Sequence, residues 1–201
     1  MILKVCGITN AEDAARACDA GATAIGFNFY PRSPRYIAPE MAAEILTPPG
    51  VRRVGVFVNE ARAKVECIAQ MARLEVAQLH GDETSAQYPA GLSIWKATRV
   101  TGEFNPELPF LNSSIEALLL DGPAGGNYGG SGKPFQWRLA AHSSMRVIVA
   151  GGLDASNVAQ AIAEAHPWGV DACSRIESAP GKKDPVKMTA FLTAAREAFR
   201  V

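Results

Sequence analysis

Apolar residues follow two rhythms along this chain. Short runs rich in Val, Ile, Leu and Ala alternate with stretches of helical period. The first run, residues 2–9, reads Ile-Leu-Lys-Val-Cys-Gly-Ile-Thr, a buried strand stopped at a glycine. Alternation along a strand puts Lys4 and Cys6 on one face and Leu3 and Val5 on the other. Further strands are predicted at residues 24–29, 53–58, 75–80, 93–100, 117–121, 146–150 and 169–174. Between them, Asn10 caps a helix with Asp13 in the place of a capping-box acid. Pro39 opens a helix over 40–46, and others are expected at 60–73, 135–142 and 157–165, the last capped by Asp154 or Ser156. In the closing helix, 185–199, Met188, Phe191, Leu192, Ala195 and Phe199 follow the helical period. Residues 101–112 read as a loop or short turn, and 122–133, about half glycine, disfavour regular structure.

Strands apolar on both faces point to a parallel sheet covered by helices. Eight such units in 201 residues predict a single small (β/α)8 TIM barrel over residues 1–201. A doubly wound open sheet is the alternative. It would carry Gly-x-Gly-x-x-Gly after the first strand, where this chain has Cys-Gly-Ile-Thr-Asn.

Composition narrows the function. Formal net charge is zero and no basic stripe is visible, so nucleic acid is not an expected partner. No apolar run reaches the length of a membrane span. The first strand begins at once, so no signal peptide is expected. Cys6, Cys18, Cys67 and Cys173 are scattered, without Cys-x-x-Cys pairing. Neither a metal site nor a disulfide framework is suggested, and the cytoplasm is the expected location.

The unusual polar residues sit where strands end: Cys6, Asn28, His80, Asp121 and Asp171. In a barrel those ends form the rim that carries active sites. The Lys4 ammonium favours the thiolate of Cys6 over the free thiol, whose pKa is about 8.5. The plainer reading is a small buried hydrophobe. Asp121 projects from a run of leucines beside the glycine loop, and a carboxyl held partly away from water keeps its proton more easily, as a general acid needs. His80 precedes a glycine and suits a turn cap. Asp171 is expected to bond to backbone amides of the next loop.

Two glycine segments follow the sixth and seventh strands: residues 125–132, which include Gly130 and Gly132, and Gly151-Gly152. With Ser174-Arg175 after the eighth strand they suit a phosphate group. Arg35 lies in a loop stiffened by Pro31 and Pro34, where its fork suits a carboxylate. Lys182 and Lys183 read as solvated loop charges.

Several motifs occur in order: Lys-Val-Cys-Gly-Ile-Thr (4–9), Gly-Phe-Asn-Phe-Tyr-Pro-Arg-Ser-Pro-Arg-Tyr (26–36), Val-Gly-Val-Phe-Val-Asn (54–59) and Gln-Leu-His-Gly (78–81). Leu-Leu-Leu-Asp (118–121), Gly-Gly-Ser-Gly-Lys-Pro-Phe-x-Trp (129–137), Ala-Gly-Gly-Leu (150–153) and Gly-Val-Asp (169–171) follow. This order closely resembles the phosphoribosylanthranilate isomerase family of tryptophan biosynthesis. The resemblance implies an Amadori rearrangement of N-(5-phosphoribosyl)anthranilate without metal or cofactor. It implies Asp121 as general acid and Cys6 as general base. Substrate would be held by Lys4, Arg35 and His80, with Arg35 on the anthranilate carboxylate. The phosphate would lie against Gly130, Gly132, Gly151, Gly152, Ser174 and Arg175. The partner is a small phosphosugar, and the expected state is a monomer.

Two features depart from the family pattern. It usually reads Ser-Ser-Gly where this chain has Cys173-Ser174-Arg175, and Asn127-Tyr128 enlarges the glycine loop. The alternatives are a related barrel isomerase acting on a histidine-pathway aminoaldose, and a non-catalytic barrel that binds phosphosugars.

Overall fold

Strands that are apolar on both faces need cover on both sides, and a sheet closed on itself supplies one of them. In the computed structural model, which describes residues 1–100, 114–122, 136–141 and 143–200, the strands close in this way. They are β1 (Ile2–Cys6), β2 (Ala24–Asn28), β3 (Arg52–Phe57), β4 (Val76–Leu79), β5 (Ser93–Arg99), β6 (Ala117–Asp121), β7 (Val147–Val149) and β8 (Gly169–Ala172). They pair in parallel in chain order. The last returns to the first with Lys4 opposite Asp171 and Val5 opposite Ala172. The expected (β/α)8 barrel is therefore the observed fold.

Alternation sorts the core in two. Outward residues such as Leu3, Val5, Leu118, Leu120 and Val170 pack beneath the helices. Inward residues, including Ile2, Val54, Val76, Trp95, Leu119 and Ile148, fill the barrel.

The helices among the described residues are α1 (Ala11–Asp19), α2 (Pro39–Glu44), α3 (Arg62–Met71), α4 (Val158–Ala165) and α5 (Pro185–Ala198). Asn10 caps α1, its Oδ1 accepting from the Asp13 N–H at 2.8 Å. Asp13 is buried for a second reason: its Oδ2 accepts from the backbone N–H of Lys183 at 2.9 Å, which ties the far end of the chain to α1. α2 stops two residues short of expectation. The Arg53 guanidinium donates to the carbonyls of Ala42 and Ile45 there, and also to Ala72 beyond α3, so one buried fork serves two helix ends.

Three local expectations are corrected. Neither Asp154 nor Ser156 caps α4; the capping position is Asn157. Asp154 Oδ1 is occupied by the N–H and hydroxyl of Ser156. Residues 135–142 carry a 3-10 turn, Trp137–Ala140, rather than an α-helix among those described. A 3-10 turn, Ser85–Gln87, also links β4 to β5. After β8, where an open loop was expected, a 3-10 turn (Ser174–Ile176) leads into an antiparallel hairpin of β9 (Glu177–Ala179) and β10 (Lys182–Lys183). The expectations for residues 101–112 and 125–132 lie outside the described residues. No helix among those described is long and apolar enough to cross a membrane.

Candidate active site

The inward rows change character along the strands. β1 runs Ile2, Lys4, Cys6; β4 runs Val76, Gln78 and then His80 just beyond its end; β6 runs Ala117, Leu119, Asp121. Each begins in carbon and ends in a polar group. These ends surround a cavity of about 500 Å³ at the C-terminal mouth of the barrel. Cys6, from the first strand, and Asp121, from the sixth, both line it. Gly26 makes room beside them: a Cβ there would stand 2.9 Å from the Cys6 sulfur and 3.0 Å from Lys4 Cε.

The thiol of Cys6 is held well below the usual thiol range. The main cause is a hydrogen bond with the Cys173 thiol. Burial opposes the shift, and the charge and N–H of Lys4 add to it. The expectation named Lys4 alone and missed Cys173. That residue lies two positions past Asp171 on the same face, so the alternation that singled out Asp171 also reaches it.

Lys4 is corrected as a substrate contact. Its side chain is fully buried and pairs with Asp171 at 2.8 Å. Burial alone would pull the ammonium down, but the Asp171 and Cys6 charges outweigh it and hold the ammonium above its usual range. Asp171 is corrected too. It bonds to Lys4 rather than to loop amides, and its Oδ1 finds no hydrogen-bond partner among the described residues. Burial pushes its carboxyl up to about 7, with Lys4 pulling the other way and the charges of Cys6 and Asp121 adding to the push.

His80 lines the cavity and does not cap its turn. That work falls to Glu83, which accepts from the N–H groups of Gly81 and Asn59. The Gln78 side-chain amide donates to His80 Nδ1 at 3.1 Å. In the neutral ring the proton is then on Nε2, 3.6 Å from Asp121 Oδ2.

Arg35 also lines the cavity, but not as a free fork. Its Nε and Nη2 donate to Glu177, the shortest bond being 2.8 Å. Those bonds, acting against burial, raise it above its usual range. Glu177 in turn accepts from Lys183 at 2.8 Å. Lys183 is 2% exposed, so its reading as a solvated charge is wrong; Lys182 is exposed as expected.

At the end of β7 the chain turns at Gly151 with φ +82°, a conformation that suits glycine. A Cβ there would stand 2.5 Å from the Gly122 nitrogen and 2.7 Å from Asp121 Oδ1. Gly151, Gly152, Ser174 and Arg175 form one side of the cavity. Arg175 Nη1 donates to the Gly152 carbonyl at 3.2 Å and to Asp154 at 2.9 Å, so it braces the glycine turn. Gly130 and Gly132 lie outside the described residues. Among the described residues no three or more His, Cys, Asp or Glu side chains gather as a metal site would require.

Residues 3–194 match the family model for N-(5'-phosphoribosyl)anthranilate isomerase. The chain belongs to that family. An N-(5'-phosphoribosyl)anthranilate isomerase from Solibacter usitatus is 66% identical over 199 residues, covering 99% of each chain. The crystal structure of phosphoribosyl anthranilate isomerase from Thermotoga maritima is 40% identical, with a TM-score of 0.90 over 98% of this chain and 100% of that one. Another isomerase of the family, crystallised with reduced 1-(o-carboxyphenylamino)-1-deoxyribulose 5-phosphate, is 36% identical with a TM-score of 0.86, over 98% and 100% of the two chains. Family membership makes the protein an isomerase of the aldose–ketose kind, in tryptophan biosynthesis.

Proposed function

We propose that the enzyme converts N-(5-phosphoribosyl)anthranilate to 1-(2-carboxyphenylamino)-1-deoxyribulose 5-phosphate, with Asp121 as general acid and Cys6 as general base. The observation that carries this reading is the cavity they share, with the Cys6 sulfur held toward its thiolate form. Asp121 gives its proton to the furanose ring oxygen as the C1–O bond breaks, and the anthranilate nitrogen supplies electrons to form an iminium. The Cys6 thiolate takes the proton from C2, and the electron pair of that bond closes an enamine. Return of a proton at C1 and loss of one from the C2 hydroxyl give the ketone, so no atom is gained or lost. The reaction asks one group to hold a proton and another to lack one, and the surroundings of Cys6 favour the thiolate that the second role needs.

Arg35 meets the anthranilate carboxylate through the donors Glu177 leaves unused. The unpartnered buried atoms His80 Nε2 and Asp171 Oδ1 suit sugar hydroxyls. The phosphate rests against Gly151, Gly152 and the Ser174-Arg175 turn, and the family resemblance adds Gly130 and Gly132 to that site. Binding so far from the reacting carbons supplies positioning energy. The chain is proposed to act as a cytoplasmic monomer. The test is loss of anthranilate fluorescence when purified protein meets freshly made phosphoribosylanthranilate, run beside the histidine-pathway aminoaldose. Turnover of the first substrate alone is expected; turnover of only the second would replace this reading.

A further inference from the structure

Cys173 is a partly buried nucleophile that the reaction above does not use. It follows β8 directly, beside the end of β1, because Val5 and Ala172 are register partners on these parallel strands. Cys6 and Cys173 are therefore the next pair up the barrel. Both line the cavity, which sets their thiols side by side, and a hydrogen bond between them accounts for the opposite shifts of the two groups.

The direction of that bond follows from the neighbours. Lys183 Nζ lies 3.9 Å from Cys173 Sγ, and an ammonium can only donate. The Cys173 sulfur is thus an acceptor on that side, and its own proton is available to Cys6. Lys4 lies beside the Cys6 sulfur, both standing against Gly26, and its charge adds to the effect. The cation beside Cys173 is more fully engaged elsewhere: Lys183 bonds to Glu177 at 2.8 Å and to the Cys173 carbonyl at 3.3 Å. A hydrogen bond offered to the charged form of a group favours that form.

We propose that Cys173 is the positioning residue for Cys6: its S–H donates to the Cys6 sulfur, keeps that sulfur a thiolate, and holds it facing the cavity. In the rearrangement Cys173 touches no substrate atom; it acts through Cys6, and in that respect the proposal rests on the base role assigned above. Two adjacent thiols share one proton, so one ionises early and the other late. The Cys173 thiol is correspondingly pushed well above the usual range, first by this bond and then by burial. The other charges facing the pair are Lys4 and Asp171 from the flanking strands, Lys183 and Glu177 from the hairpin, Arg35 from the loop after β2, and Asp121 across the cavity. All remain when Cys173 is replaced.

The experiment follows alkylation of Cys6 by iodoacetamide against pH, reading the Cys6 peptide by mass spectrometry, together with the pH profile of kcat/KM. Cys173→Ala and Cys173→Val remove the donor at two side-chain sizes, so a folding failure in one leaves the other; Cys173→Ser keeps a donor. Thiolate is the reactive form, so a lower midpoint means faster alkylation at neutral pH. Loss of the donor is expected to raise the Cys6 midpoint by about one unit or more, moving the whole alkylation curve to higher pH. Cys173→Ser is expected to reverse most of that shift. The acid limb of kcat/KM should move in the same direction while KM holds. An unmoved alkylation midpoint in the folded Ala or Val variant overturns the proposal, whatever the turnover. A raised midpoint with an unmoved rate profile upholds the Cys173 to Cys6 bond and overturns Cys6 as the base.

Discussion

The two ends of the barrel are built from the same strands and treat polar groups in opposite ways. At the N-terminal end, Trp95 is fully buried, and its Nε1 donates to Glu116 at 2.9 Å. Arg52 pairs with the same carboxylate at 2.9 Å and lies over the Trp95 ring. Arg146 lies over Trp168, which meets Trp95 edge-on. Every one of these groups has a partner. At the C-terminal end, Gln78 Oε1, His80 Nε2 and Asp171 Oδ1 have no hydrogen-bond partner among the described residues, and all three belong to residues lining the cavity. A buried polar atom without a partner costs about 1–3 kcal/mol, so a fold that leaves three together has left places for a ligand to complete. One end is closed for stability; the other is held incomplete for chemistry.

The difference can be broken from either side. The largest effect is expected at the closed end. Trp95→Ala removes a fully buried aromatic and should cost about 3–5 kcal/mol of unfolding free energy; urea unfolding measures it, and the kcat of the folded fraction should stay near that of the parent. A large fall in kcat with unchanged stability would invert the comparison. Gly151→Ala comes next, at the open end. Positive φ alone should cost about 1–2 kcal/mol, while the new methyl, crowding Asp121, should lower kcat by about tenfold or more as a side chain displaced from its productive position does. Stability and rate measured on one preparation separate the two effects. Arg146→Ala is the smallest: this exposed arginine should matter by less than about 1 kcal/mol and leave kcat unchanged. A fall in turnover there would mean that the two ends are coupled.

Most of the barrel was legible in the chain because its evidence is local. The alternation of Ile2, Lys4 and Cys6, or of Val76, Gln78 and His80, places the same residues inward in sequence and in structure. The strand-end rule likewise brought Cys6, His80, Asp121 and Asp171 to one rim. What could not be read is what closure creates. Lys4 with Asp171, Cys6 with Cys173, and Arg35 with Glu177 join the beginning of the chain to its end. No periodicity encodes such partners, so Lys4 was given to substrate and Asp171 to a loop. Lys183 was misread because burial of a lysine depends on Glu177 and the hairpin fold, neither visible in Pro-Gly-Lys-Lys.

The central claim is that the open end holds one acid and one base across a single cavity. It is tested by the turnover of Cys6→Ala and Asp121→Asn on phosphoribosylanthranilate, each checked for an unchanged unfolding midpoint. Each folded variant should lose at least about a hundredfold in kcat, the scale of a positioned acid or base. Turnover close to that of the parent enzyme in either one would contradict the account.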